Sequence, residues 1–379
     1  MTNDLVTDQR VDRTCRALAA NGWRVTLVGR RLPGSPALQP RGYAMRRMRL
    51  LFRRSSAFYA EYNLRLFLLQ LFGRADAFFA NDTDTLAACC LAARLRRKAL
   101  YFDAHELFPD VPELQGRPRV QAVWRWIERK ALPHVRHAFT VSQGVADEYR
   151  RRYGVEMTVV RNVPDRRAEQ GEPNAQHANF GQTAATHLLL YQGAVNIGRG
   201  IKEMADVLGL LSDCTLLIAG DGDLLGQMKR YAATLPWGDR IRFLGRVQPD
   251  KLHGLTAQAH LGLCLLEDLG LSYRLSLPNR IADFAQAGVP LLATAFPEIS
   301  RTLQHYGTGT LTGPLPTEKE GDEYRHYIAR LADDIRAALR HWQQMPKKER
   351  RCLFARAAEE LNWQREQKKL LAAMQPPAN

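Results

Sequence analysis

The sequence predicts an α/β protein built from two parallel, doubly wound domains. Three observations carry that expectation. The chain has 379 residues, more than one ordinary core holds, so two domains of about 150–200 residues are expected. Apolar strand-like runs alternate with helical periodicity as far as residue 164. After a polar interruption the alternation begins again. Strand-to-helix alternation gives a parallel sheet covered on both faces.

Taken in order, "DQRVDRTCRALAANGW" carries Val11, Cys15, Leu18 and Ala19 at helical spacing and stops at Asn21-Gly22. "RVTLVGRR" and "MRLLF" read as strands, and "SSAFYAEYNLRLFLLQLFGR" as a helix opened by Ser55 or Ser56. "ADAFFAND" is a strand, "TDTLAACCLAARLRRK" a helix, and "ALYFDAHELF" a strand that ends in Asp103 and His105. Then follow the helix "VWRWIERKALPHV", the strand "HAFTVS", the helix "QGVADEYRRRYG" closed by Gly154, and the strand "MTVVRNVP". Residues 165–186 lack periodicity and are rich in polar residues, Gly and Pro, which makes a linker. The second alternation runs through "HLLLYQG", "GIKEMADVLGLL", "CTLLIAGDGD", "LLGQMKRYAATL", "IRFLGRV", "PDKLHGLTAQA", "LGLCLL", "PLLAT" and "EISRTLQHYG". The expected boundaries are 1–164, a linker over 165–181, 182–362, and a last helix over 363–379. Two Rossmann-like halves of this kind leave a cleft, with ligands beyond the carboxyl ends of the strands. A sheet of this type normally has a central strand before its first helix, where only "MTNDLV" stands; the expectation is a true start further upstream.

Composition narrows the class. The six cysteines show no Cys-x-x-Cys spacing and sit in apolar runs, as reduced buried thiols do. No apolar signal region opens the chain and no run approaches a membrane span, so a cytoplasmic protein is expected. Of the net charge of +15, residues 1–180 hold an excess of 12 and the remainder an excess of 3. A basic first half points to an anionic partner, nucleic acid or a membrane surface. Arginines 41–54 and the aromatics Phe58, Tyr59, Tyr62, Phe67 and Phe72 are candidates for a membrane-facing patch, although most of the aromatics are expected in the core.

The chemistry gathers at strand-to-helix turns. Gly220-Asp221-Gly222-Asp223 ends the strand "LLIAG", where glycines let a ligand approach the backbone and the following helix N-terminus favours anions. "YQGAVNIGRGIKEM" places Arg199 and Lys202 at a helix start, where bases oppose the macrodipole and suit phosphate. In "SLPNRIADFAQAGVP", Pro278 and Asn279 open a helix and Arg280 adds a fork matched to phosphate oxygens. Asp283, four residues after Asn279, suits a ribose diol. A diphosphate beside a ribose describes a sugar nucleotide.

Several motifs in order resemble the family 4 glycosyltransferases, the retaining "group 1" enzymes with a GT-B fold. They are "FYAEYNLRLF", "ANDTDTL", "FDAHELF", "VSQGVADEY", "LYQGAVNIGRGI", "IAGDGD", "IRFLGRV" and "SLPNRIADFAQAGVP". The resemblance covers nearly the whole chain. It implies two facing Rossmann-like domains, a C-terminal helix crossing back to the first, and a nucleoside-diphosphate sugar as substrate, with no cofactor and no metal. Arg199 falls at the family's phosphate-binding base. Asp283 takes the place of the second Glu of the family's Glu-x7-Glu element. Strict spacing would put the first Glu at 275, where Leu275 stands; Glu267 is the nearest upstream carboxylate. Ala194 replaces a common Arg, and Asn3-Asp4-Leu5-Val6 replaces a glycine-rich loop. The donor side is then Gly193, Arg199, Lys202, Gly220, Gly222, Arg246, Asn279, Arg280 and Asp283. His105 resembles the residue facing the transferred sugar and is paired with Glu267 as a catalytic candidate. Asp82, Asp84, Asp103 and Glu106 fall on the acceptor side. Read as metal-binding Asp-x-Asp pairs, "DTD" and "DGD" fit poorly, since both lie at strand-to-helix connections.

The resemblance implies transfer with retention to a hydroxyl acceptor, saccharide or lipid-linked, in envelope polysaccharide or glycolipid synthesis at the inner membrane face. A related GT-B epimerase or phosphorylase, or a basic nucleic-acid- or membrane-binding protein of degenerate GT-B fold, is the alternative. Turnover of donor against simple polyanion binding discriminates them.

Overall fold

The computed structural model describes the chain except Asn3, Thr7 and residues 167–186 and 375–379. The expected linker therefore lies, from residue 167 onward, outside the described residues, as does Asn3 of the expected first loop. Backbone contacts divide the chain into two units: Met1–Asn162 with Gly270–Ser276 and Trp363–Asn379, and Val163–Leu269 with Leu277–Asn362.

The first unit runs α1 (Gln9–Ala20), β1 (Thr26–Arg30), β2 (Ala44–Met48), α2 (Ser55–Phe72), β3 (Ala77–Asn81), α3 (Thr83–Arg96), β4 (Ala99–Ala104), α4 (Pro118–Ala131), β5 (His137–Thr140), α5 (Gln143–Tyr153) and β6 (Met157–Val159). Local signals set the ends. Asp8 caps α1 by accepting from the Val11 amide, and Ser142 caps α5 in the same way. Gly154, in left-handed backbone, closes α5. All strand pairs are parallel, in two sheets ordered β1-β2 and β3-β4-β5-β6. No strand among the described residues precedes α1, and the sheet is split where a central strand would lie.

One expectation is corrected here. The second strand is Ala44–Met48 rather than "MRLLF". Beyond it, the carboxylate of Glu61 on α2 accepts the Leu51 and Phe52 amides, which a sheet ladder would otherwise need. Two of the arginines in 41–54 find acidic partners in the fold. Arg41 pairs with Asp12 and Arg47 with Asp4, both far away in sequence.

The second unit runs β7 (His187–Gln192), α6 (Ile201–Val207), β8 (Cys214–Ala219), α7 (Leu225–Thr234), β9 (Ile241–Gly245), α8 (Pro249–Thr256) and β10 (Leu261–Cys264). The short α9 (Leu271–Arg274) belongs to the first unit. The second then resumes with α10 (Arg280–Gln286), β11 (Leu291–Thr294), α11 (Pro297–Tyr306), β12 (Gly309–Thr312), α12 (Gly321–Gln344) and α13 (Lys347–Glu360). Its six parallel strands are ordered β12-β11-β10-β7-β8-β9. Their near-continuous apolar sequences follow from burial on both faces. "MPKKERR" lies at the surface and leads into α13, whose Phe354 and Ala357 are buried. The terminal helix α14 (Trp363–Ala373) belongs to the first unit. There Trp363, Leu370 and Met374 share a core with Leu18, Tyr101, Phe139 and Val160.

Candidate functional site

Charged groups gather at the carboxyl ends of strands in each unit, and each cluster is built by its own unit.

In the first unit, β3 and β4 pair Asn81 with Asp103, so the residues that follow these strands meet. Asp82 donates its amide to the Asp103 carbonyl at 2.9 Å. Its backbone (φ 62°, ψ 166°) lies in a region that is otherwise glycine's. Such strain persists only where the surroundings hold it, and here they do. Asp82 Oδ1 accepts the His105 amide at 2.7 Å, while Oδ2 lies 3.3 Å from His105 Nδ1. On the other edge of the imidazole, Nε2 lies 3.3 Å from Asp103 Oδ2.

Asp103 is in turn fixed by Arg10, whose Nε and Nη2 donate at 2.9 and 2.6 Å. The remaining Arg10 nitrogen donates to the Val160 carbonyl at 2.6 Å. Burial alone would raise the Asp103 carboxyl, but Arg10 and His105 outweigh it and hold it well below the usual carboxylate range. Burial works against charge on His105 too, yet Asp82 and Asp103 overcome it and raise the imidazole to about 9. Asp82 is itself raised, by burial opposed by His105. At neutral pH the cluster thus holds a protonated imidazole between two carboxyl groups.

Asp84 is the third carboxyl near this cluster. It accepts from Thr2, and burial raises its carboxyl. Glu106 stands exposed beside His105. Asp82 and Asp84 therefore do not converge as a chelating pair. The sequence reading missed Arg10, whose partner lies 93 residues away, and no local signal marks it.

In the second unit the loop after β7 and the turn after β8 interlock. Val195 donates its amide to Asp221 and Leu224 donates to Val195, both at 3.0 Å. A Cβ on Gly220 would fall 1.7 Å from the Gly193 carbonyl oxygen, and one on Gly222 would fall 2.5 Å from that of Val195. These two glycines admit the neighbouring loop. Asp221 accepts the Gly222 amide, a turn contact and not a chelating one.

Arg280, at the start of α10, is buried, with its guanidinium 4.5 Å over the ring of Tyr191. Its Nη2 donates to the Tyr191 hydroxyl at 3.3 Å, and that hydroxyl donates to the Ala194 carbonyl at 2.6 Å. Nη1 is buried with no hydrogen-bond partner among the described residues. Gly193 (φ 137°) makes room for this arginine, since a Cβ there would come within 2.8 Å of Nη2. Arg199 lies in the same neighbourhood. Burial raises the Cys264 thiol, and Arg280 and Arg199 are the two charges that oppose it. One turn along α10, Asp283 accepts from Gln192, which is braced by Thr256.

Glu267, just past β10, donates its amide to the Gly198 carbonyl at 3.1 Å. Its carboxylate lies 3.2 Å from Lys319, which also binds the buried Glu203. Burial raises Glu267, and Lys319 opposes this.

The other candidates stand apart from this cluster. The Lys202 ammonium binds Asp206 at 2.7 Å and lies over the rings of Tyr324 and Tyr231. Its charge is committed there. Arg246 is exposed beyond the edge strand β9, and the exposed Asn279 makes no side-chain cap on α10. Leu275 packs against the apolar core of the first unit, and Ser142 donates to its carbonyl at 2.7 Å. A carboxylate at that position would lie against an apolar core.

Two parallel doubly wound units, each carrying charge at its strand ends, define the GT-B class. The model of Glycosyltransferase Family 4 matches residues 8–166, and that of Glycosyl transferases group 1 matches residues 187–334. The chain belongs to the group 1 glycosyltransferases. No curated protein matches it in sequence. Among solved structures it is similar to sucrose-phosphate synthase from Thermosynechococcus elongatus. That match has 17% identity over 96% of this chain and 93% of the other, with TM-score 0.71. It is also similar to Anabaena HepE in complex with UDP-glucose (13%, 99% and 98%, TM-score 0.71). A third is WaaG, a glycosyltransferase involved in lipopolysaccharide biosynthesis (16%, 96% and 94%, TM-score 0.59). No helix among the described residues is long and apolar enough to cross a membrane.

Proposed function

We propose that this glycosyltransferase moves a sugar, with retention, from a nucleoside-diphosphate sugar to a hydroxyl acceptor in cell-envelope saccharide or glycolipid synthesis, working at the inner face of the membrane. The observation that carries the donor class is Arg280, buried against Tyr191 and Gly193 with one guanidinium nitrogen unpartnered. A buried donor without an acceptor is costly, and a diphosphate oxygen would satisfy it. Arg199 adds a second charge near Cys264, and Asp283 offers acceptors to a ribose.

In the reaction, the bond from the anomeric carbon to the diphosphate oxygen breaks. A new bond from that carbon to the acceptor oxygen forms on the same face. Arg280 and Arg199 stabilise the charge developing on the leaving diphosphate, and the acceptor's hydroxyl proton leaves with that group. Glu267, held by Lys319, is assigned to hydroxyls of the transferred sugar, and His105 to the acceptor side of that sugar. The similarity to HepE, solved with UDP-glucose, and to WaaG supports this donor and setting.

The test is a thermal-shift and turnover screen over nucleoside-diphosphate sugars. One donor should stabilise the protein and release nucleoside diphosphate in the presence of a lipid-linked saccharide. Stabilisation by none of them, together with tight nucleic-acid binding, would overturn the reading.

A further inference from the structure

Ten of the twelve large apolar side chains exposed among the described residues fall between Leu51 and Trp126, in the first unit. Leu64, Leu68 and Phe72 recur at every fourth position on α2 and are 59%, 43% and 81% exposed. They lie on the face opposite Phe58, Tyr62 and Leu66, which are buried. Leu91 and Leu95 repeat the spacing on α3. The two helices are neighbours, since Asn63 donates to the Asp84 carbonyl at 2.8 Å and Gln70 to Cys89 at 3.2 Å. α4 is tied to both by the Thr83–Glu128 hydrogen bond and the edge-to-face contact of Tyr59 with Trp124, and it carries the exposed Trp126.

Charge on these helices has one sign. The acid of α3, Asp84, is buried, and that of α4, Glu128, is enclosed by three hydroxyl donors. The acid of α2, Glu61, is taken up by Arg65 and the Leu51 and Phe52 amides. Exposed around them stand Arg74, Arg94, Arg97, Arg129 and Lys130, with no ion pair among the described residues. An apolar helical face rimmed by unpaired bases is the pattern that lies on an anionic bilayer. A soluble protein partner would leave those bases unmatched unless it were acidic.

We infer that the outer face of α2 and α3, with the adjoining end of α4, docks on a bilayer containing anionic lipid. This rests on the reading above, in that a lipid-linked acceptor would be met at such a surface. Leu68 and Leu95 enter the acyl boundary, while Arg94 and Arg97 meet headgroup phosphates. Of the patch expected from sequence, Phe58 and Tyr62 are core, whereas Phe72 belongs to this face and Leu51 and Phe52 are exposed beside the start of α2.

The test is co-sedimentation of the full chain with vesicles of phosphatidylcholine alone, and of phosphatidylcholine mixed with phosphatidylglycerol. Binding should require phosphatidylglycerol and weaken with salt. Leu68→Asn with Leu95→Asn should lower it at least tenfold. Arg94→Gln and Arg97→Gln should each lower it about fivefold and flatten the salt dependence. Melting temperature and binding of free nucleoside diphosphate, measured without vesicles, should stay unchanged in all variants. Equal binding by the variants, equal binding to both vesicles, or an apolar-face-dependent dimer in solution would overturn the inference. Vesicle binding without donor turnover would instead count against the transferase reading alone.

Discussion

The guanidinium of Arg280 lies 4.5 Å over the ring of Tyr191, and its Nη1 is left without a partner in a buried site. The stack fixes the fork before any ligand arrives, so little side-chain entropy is lost on binding. Arg280→Ala should weaken binding of the free nucleoside diphosphate by about 1.5–3 kcal/mol, the scale of a hydrogen bond to a charged group. Tyr191→Phe, which keeps the ring and removes only the hydroxyl, should cost less than half of that. Isothermal titration of both variants checks it, and unchanged affinity in Arg280→Ala would sink the donor assignment.

Lys319 stands between Glu203, which is buried, and Glu267, to which the proposed reaction assigns the sugar. Burial raises the Glu267 carboxyl and Lys319 restrains it. Lys319→Met should therefore push Glu267 further up and move the acid limb of the kcat/KM profile to higher pH. Lys319→Arg should restore part of the shift. An unmoved limb in Lys319→Met would show that Glu267 does not titrate in the reaction.

Folding raises His105 from 6.5 to about 9, so the folded state keeps a proton that the unfolded chain loses in that window. The imidazole's contribution is therefore complete below pH 6.5 and gone once the pH has risen through about 9. Asp82 is also raised and acts in the same direction, since folding favours its protonated form. Stability by urea denaturation should fall by on the order of 2 kcal/mol between those limits. His105→Gln should flatten the curve, and Asp82→Asn should reduce its slope. A His105→Gln curve parallel to wild type would remove the charged imidazole from the account.

Features that depend on neighbours in sequence were legible before the structure. Strand and helix alternation and the stop at Gly154 follow from residue type and period. The four-residue spacing from Asn279 to Asp283 put Asp283 one turn along α10, and the order of motifs pointed to the family. Features that depend on distant partners were not legible. Arg10 meets Asp103 across 93 residues, and Lys319 meets Glu267 from the far side of β11 and β12. Gly220 and Gly222 read equally as ligand-approach glycines, because sequence cannot say which backbone fills the missing Cβ. For Lys202, a base at a helix start matched phosphate by type, but Asp206 four residues on was the nearer claimant. The apolar face of α12, with Tyr327, Ile328, Leu331, Ile335 and Leu339 buried, is plain 3.6-residue periodicity and was within reach of a sequence reading.

Glu366 on α14 is wholly enclosed and holds the terminal helix to the first unit. It accepts the Arg161 amide at 2.9 Å and Nε at 2.8 Å, and the Lys369 ammonium at 2.7 Å. The two basic partners are not equivalent. Arg161 is the less exposed and binds through both backbone and side chain, whereas Lys369 is 42% exposed and solvent screens it. Lys369→Ala should therefore cost less than about 1 kcal/mol. Glu366→Ala removes the acceptor for a buried amide and a half-buried guanidinium at once, and should cost about 3–5 kcal/mol. Leu370→Ala, a few residues on, leaves a cavity beside Tyr101 and Phe139 and should cost about 2–5 kcal/mol. Urea denaturation of the three variants orders them, with Lys369→Ala nearest wild type. If Leu370→Ala and Glu366→Ala both unfold within about 0.5 kcal/mol of wild type, the range of an ordinary surface substitution, the helix is not anchored by these residues.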